Sequence, residues 1–127
     1  MYEFSLIKDP NYKDDYIYQG RNEFNQIIKL EIFYCLDGYF HVIFFITSKR
    51  KKGYQRFKQT GKDGIKSLLW AKACIFDFIS KFKGKYHDSV IRIYGDDKRR
   101  VNVYERGLAS LGFKKSFSKT PFIYHRL

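Results

Sequence analysis

Cysteine, proline, methionine and tryptophan are scarce: two, two, one and one in 127 residues. Cys35 and Cys74 lie apart in apolar stretches, and no CxxC or Cys/His cluster occurs. That spacing speaks against a zinc site, so no metal is expected and both thiols read as reduced and buried. Acidic side chains are few as well, 13 Asp+Glu against 25 Lys+Arg, a net charge of +12. Such a field favours anionic partners: nucleic acid, an acidic protein surface or a polyphosphate cofactor. There is no uncharged apolar run of about 18 residues and no signal or lipidation motif, so no membrane is expected and the chain reads as cytoplasmic. Linkers, repeats and low-complexity segments are absent too, which leaves one domain over residues 1–127.

Aromatic residues are plentiful at 20% and spread along the apolar segments, so most must be core. The abundance of Phe, Tyr, Ile and Lys is the usage of an AT-rich genome, such as a phage or a low-GC bacterium. Residues 2–8 read as a first strand, broken at Asp9-Pro10. Residues 11–25 are polar and tyrosine-rich, with a short strand or ordered loop at 16–18. A hairpin follows over 26–47. Ile28, Leu30, Ile32 and Tyr34 alternate with Lys29, Glu31 and Phe33, and Asp37-Gly38 supplies the turn. The return strand is apolar on both faces, which predicts a central position.

Residues 65–82 carry a helical period. Ile65, Leu68, Leu69, Ile75, Phe76, Ile79 and Phe82 are expected on its buried face, with Trp70 nearly opposite, beside Lys66 and Asp77. SVIRIY then reads as a strand, and Val101, Tyr104, Leu108 and Leu111 line a second helix that stops at Gly112. One or two strands close the chain around Pro121. The expected class is α+β: a mostly antiparallel sheet with two packed helices, in the order β-β-β-β-α-β-α-β.

Two short motifs bear on chemistry. QTGKDG (59–64) opens the long helix. Free amides at a helix start carry partial positive charge, and glycines let a pyrophosphate approach them. Gln59, Thr60, Gly61, Lys62, Asp63, Gly64 and Ile65 are therefore candidate phosphate-binding residues. The competing reading is an ordinary turn into a helix. The second motif, YERGLASLGF (104–113), closes the second helix on Leu-Gly-Phe. In topology and in these motifs, residues 26–127 resemble a trimmed member of the GNAT superfamily of acyl-CoA N-acyltransferases. Gln59 and Gly64 match the first and last positions of that family's phosphate loop. The middle glycine is displaced to Gly61, and Lys62 stands in its place. The resemblance implies acetyl-CoA as cofactor and an amine as acceptor. It also implies a tyrosine acid for the leaving thiolate. Leu108 occupies the family's tyrosine position and Tyr104 lies one turn before it. Glu31 and His41, on the hairpin, are the candidate bases.

A rival reading starts from charge. Lys49, Arg50, Lys51 and Lys52 form one basic group, Lys81, Lys83 and Lys85 a second, and Lys98, Arg99 and Arg100 a third, with aromatics near each. A non-catalytic basic module of phage type, engaging nucleic acid or an acidic host protein, would use these surfaces. Residues 9–25 are too short and polar for the two helices that usually help build the acceptor site in the resembled family.

Overall fold

The computed structural model describes residues 3–8, 15–22, 24–47, 54–56, 61–95 and 98–127. Its strands are β1 (Ser5–Lys8), β2 (Asp15–Arg21), β3 (Ile27–Tyr34), β4 (Phe40–Thr47), β5 (Tyr54–Arg56), β6 (Val90–Tyr94), β7 (Lys114–Lys115) and β8 (Phe122–Arg126). Helix α1 (Gly61–Phe82) joins β5 to β6, and α2 (Lys98–Leu108) joins β6 to β7. All eight strands share one sheet. Seven run in the order β1-β2-β3-β4-β6-β8-β7, and β5 pairs with β4 off that path. The α+β class and the mostly antiparallel sheet thus agree with expectation. Against the order β-β-β-β-α-β-α-β, one extra strand precedes α1, and the chain closes with two strands, the larger of the two numbers expected.

Alternation in the strands sets two unequal faces. Tyr16, Tyr18, Ile28, Leu30, Ile32, Phe40, Ile91, Ile93 and Ile123 are buried on one face. Cys74, Ile75 and Phe78 of α1 join the same core, as do Val101 and Leu108 of α2. On the other face no described element packs. There Ile7, Ile43 and Tyr124 are exposed. β4 is central, as predicted, yet its second apolar row faces outward at Ile43.

Helix α1 lies rotated from the face expected of it. Ser67, Trp70, Cys74, Ile75 and Phe78 are buried, whereas Phe76 is 58% exposed and Leu69 39%. Ser67, Trp70, Cys74 and Phe78 follow one another at intervals of three and four, with Ile75 beside Cys74, the spacing of a single helical stripe. Phe76 and Leu69, seven apart, share the opposite stripe. The partners decide between the two stripes. Tyr16, Phe40 and Phe82 present rings to Phe78 at centroid distances of 5.0–5.5 Å. Trp70 donates its indole N–H to the Glu3 carbonyl at 3.0 Å and meets the Phe44 ring at 5.7 Å. A methyl group on Gly20 would lie 2.7 Å from Trp70 Nε1, so only glycine leaves room for this indole.

The predicted hairpin forms around the Asp37-Gly38 turn, with Phe33 opposite His41 and Tyr34 opposite Phe40. Gly38 sits at φ +88°, where glycine is unstrained, and its amide donates to the Cys35 carbonyl at 3.0 Å. Gly112 caps the end of the second helical segment in the left-handed conformation, as its Leu-Gly-Phe context suggests. Asp96 and Asp97, either of which could cap α2 by sequence, lie outside the described residues.

Candidate active site

β4 and β6 run parallel, but register pairs join them only at Phe40–Ile91 and His41–Arg92. Further along the same edge, β5 pairs with Phe45, Ile46 and Thr47. Residues 42–44 of β4 lie between these two pairings. At about 3.3 Å per residue the opening is roughly 10 Å long. Twisted strands joined by a crossover helix can diverge in this way, because the helix rather than the ladder holds them together.

A cavity of about 100 Å³ fills the opening on the helix side. Leu30, Val42 and Phe44 form its sheet wall with Ile93, while Ser67, Leu68, Ala71 and Ile75 of α1 close it. Tyr104, Leu108 and Arg100 of α2 complete the lining, and Tyr94 of β6 and Ile43 of β4 border the opening. Tyr104 is half-buried, and Leu108, one turn later, is buried in the same wall. Gly107 lets the two helices approach, since a Cβ there would meet Leu68 Cδ2 at 2.7 Å. Sequence reasoning missed Tyr94, and it placed Arg100 with the surface cations; both border the cavity, although the Tyr94 ring stacks on His41 on the other face of the sheet.

The remaining candidates are dispersed. Gly61, Lys62, Asp63, Gly64 and Ile65 form the start of α1 rather than a loop before it. Gln59 and Thr60 lie outside the described residues. The first-turn amides of a helix have no acceptor within it, so the helix start keeps its anion-binding capacity. Glu31 and His41 point to the face of the sheet opposite the helices, on which no described element packs, by the alternation that buries Leu30, Ile32 and Phe40. They therefore lie across the sheet from Tyr104. Glu31 is paired with the cavity-lining Ile43. Lys98 and Arg99 are exposed at the start of α2. Lys49, Arg50, Lys51 and Lys52 fall outside the described residues.

His41 has a second set of neighbours. Its ring stacks between Phe33 (6.0 Å, 26°) and Tyr94 (5.6 Å, 12°). Its Nε2 lies 2.8 Å from Asp37 Oδ2, while Asp37 Oδ1 accepts the Tyr39 amide at 3.0 Å. Partial desolvation resists ionisation of Asp37, but the Tyr39 amide, the His41 ring and the Arg92 charge outweigh it and hold the carboxyl below its usual range. The thiol of Cys35 joins the group, with one ligand-type atom from each of Cys35, Asp37 and His41 within 4.8 Å of the others. Desolvation and the charges of Asp37 and Asp15 push this thiol up. Cys35 is half-buried rather than buried as expected. The spacing Cys-x-Asp-x-x-x-His matches no common metal motif. The hairpin turn, not the spacing, brings the residues together. Behind them, Arg92 lies against the rings of Tyr39 (3.5 Å) and Phe122 (4.5 Å) and donates to the Tyr94 hydroxyl at 3.3 Å.

No protein-family model, curated protein or solved structure matches the chain. No helix among the described residues is long and apolar enough to cross a membrane.

Proposed function

We propose that this protein binds an acyl-CoA, acetyl-CoA by preference, and transfers the acyl group to an amine. The observation that carries this reading is the opening between the parallel strands β4 and β6, where an apolar cavity of about 100 Å³ has Tyr104 in its wall. A cavity of that size suits an acyl thioester and the adjoining part of its arm. The strand edge at residues 42–44 offers backbone groups to an amide-bearing chain, as a sheet edge does to a peptide. The start of α1 offers amides to the pyrophosphate. The GNAT resemblance adds to the reading, with its finer topology a part of the proposal.

In the proposed reaction the amine nitrogen attacks the thioester carbonyl carbon. The carbon–sulfur bond then breaks and the electron pair leaves on sulfur. Tyr104 gives its proton to that thiolate and Glu31 takes one from the amine, so the protons balance. The acceptor approaches from the face opposite the helices, beside Ile43 and Glu31, while the cofactor enters on the helix side. Leu68, Ala71 and Ile75 exclude water from the thioester.

A second reading draws on exposed Lys98 and Arg99. Helix α2 has no acidic residue in its first turn, so these cations sit at the positive end of its dipole. A polyanionic partner would relieve that repulsion, as the basic binding-module reading requires.

Calorimetry with acetyl-CoA, run beside ATP and inorganic pyrophosphate, tests the proposal. Acetyl-CoA should also raise the melting temperature in proportion to ln(1 + [L]/Kd). Ala71→Leu should fill the cavity, keep the fold and abolish the binding heat. Equal stabilisation by all three anions, or no heat from millimolar acetyl-CoA, would leave the binding-module reading.

A further inference from the structure

We propose that the β3–β4 hairpin is a transition-metal site, suited to Zn²⁺ and held by Cys35 Sγ, Asp37 Oδ2 and His41 Nε2. The site stands independently of acyl transfer. A zinc ion with bonds of about 2.0–2.3 Å holds tetrahedral ligands roughly 3.3–3.8 Å apart. One donor atom from each of the three residues already lies within 4.8 Å of the others, and His41 Nε2 lies 2.8 Å from Asp37 Oδ2, so small side-chain rotations bring the set to one centre. One thiolate, one imidazole and one carboxylate make a mixed S/N/O set, which favours zinc over magnesium or calcium.

The hairpin preorganises these donors. The Cys35 amide donates to the Tyr39 carbonyl at 2.9 Å, and the Gly38 amide donates to the Cys35 carbonyl, so the turn is closed from both sides. Leu36 is fully exposed, which leaves its neighbours Cys35 and Asp37 to converge. Asp37 uses Oδ1 on the turn and keeps Oδ2 toward His41. Phe33 and Tyr94 fix the plane of the His41 ring. Ring packing of this kind reduces the ordering cost of binding.

The charges also balance. Zn²⁺ would take the place of the proton on Cys35 Sγ, which leaves to solvent, and His41 would bind through Nε2 as a neutral imidazole with its ring proton on Nδ1. Thiolate and carboxylate together neutralise the ion. Arg92 is the opposing charge nearby, but its guanidinium lies against the rings of Tyr39 and Phe122. Three protein ligands leave a fourth position for water or a small anion, the pattern of zinc sites that keep an open coordination position.

The test uses the whole chain, stripped with a chelator and then titrated with Zn²⁺ against a chromogenic competitor. One ion per chain is expected. Co²⁺ in its place should give the intense visible bands of a four-coordinate ion and a thiolate charge-transfer band in the near ultraviolet. Cys35→Ser should remove that band. Cys35→Ser, Asp37→Asn and His41→Gln should each lose at least about tenfold in affinity, a loss seen even for residues one shell out from a metal. His87→Gln, at a separate exposed His–Asp pair, should change nothing. If Asp37→Asn disturbs the turn, alkylation gives the second readout: Zn²⁺ should protect Cys35 in the wild type. Unaltered alkylation of Cys35, an octahedral cobalt spectrum without the thiolate band, or wild-type affinity in Cys35→Ser would overturn the site.

Discussion

The hydroxyl of Tyr18, in the middle of β2, donates to Asp77 Oδ2 on α1 at 2.7 Å. Asp77 is also paired with Lys81, 3.1 Å away on the next turn of the helix. The sheet and its long helix are thus joined by a directional contact at the edge of an otherwise apolar interface. Tyr18→Phe should cost about 1.5–3 kcal/mol, the range for a hydrogen bond to a charged group. Urea denaturation at neutral pH measures it.

Alkaline pH should erode stability in two stages. Burial, then the Asp77 hydrogen bond and charge, push Tyr18 well above its ordinary value. Burial, then Asp77, does the same to Cys74. A group whose folded pKa is raised contributes stability that is whole below its unfolded pKa. The unfolded values are about 8.5 for Cys and 10 for Tyr. Stability should therefore fall from about pH 8.5 upward and more steeply beyond about pH 10. Cys74→Ala should shrink the first phase, to which the half-buried Cys35 thiol also contributes, and Tyr18→Phe should remove the second, in denaturation curves taken across the alkaline range.

Phe76 and Phe78 stand two residues apart on α1 and should behave oppositely. Phe78 is fully buried among Tyr16, Phe40 and Phe82. Phe78→Ala should cost about 3–5 kcal/mol through the cavity it leaves. Phe76→Ala should stay within about 0.5 kcal/mol, as exposed substitutions do. Equal shifts in the urea midpoint would contradict the rotation of the helix.

Tyr104→Phe separates acid catalysis from packing. The ring stays in the cavity wall, so acetyl-CoA affinity should hold. Turnover with an amine acceptor should drop by about 10²–10⁴-fold, the usual contribution of a positioned acid. Loss of affinity with unchanged turnover would give Tyr104 a binding role instead.

Lys98 and Arg99 test the basic-surface reading. If they contact phosphates, replacing either with Gln should flatten the log–log salt dependence of nucleic-acid binding by about one unit each. The loss should be similar for every sequence, because phosphate contacts position without specifying. A gel-shift titration with salt reads both effects, and an unchanged slope removes these residues from the interface.

The sequence by itself determined the elements whose signals are local. Period-two alternation over residues 27–34, the Asp37-Gly38 turn and the helical period of α1 and α2 each follow from neighbours a few residues away. The α+β class followed from them. The stripe of α1 that faces inward was not local information, because both stripes of that helix carry large apolar residues. The choice was made by what waits on the sheet: Tyr16 and Phe40 for Phe78, and Gly20 with the Glu3 carbonyl for Trp70. The same holds for the two candidate sites. Tyr104 is readable as a residue of a helix. Its place in a cavity with Leu68, Ala71 and Phe44 exists only because β4 and β6 diverge after two paired positions. Cys35, Asp37 and His41 are near in sequence, yet no spacing rule marks them. Closure of the turn and the two rings that flank His41 bring their donor atoms within 4.8 Å, a distance that depends on how the chain folds back on itself rather than on the order of its residues.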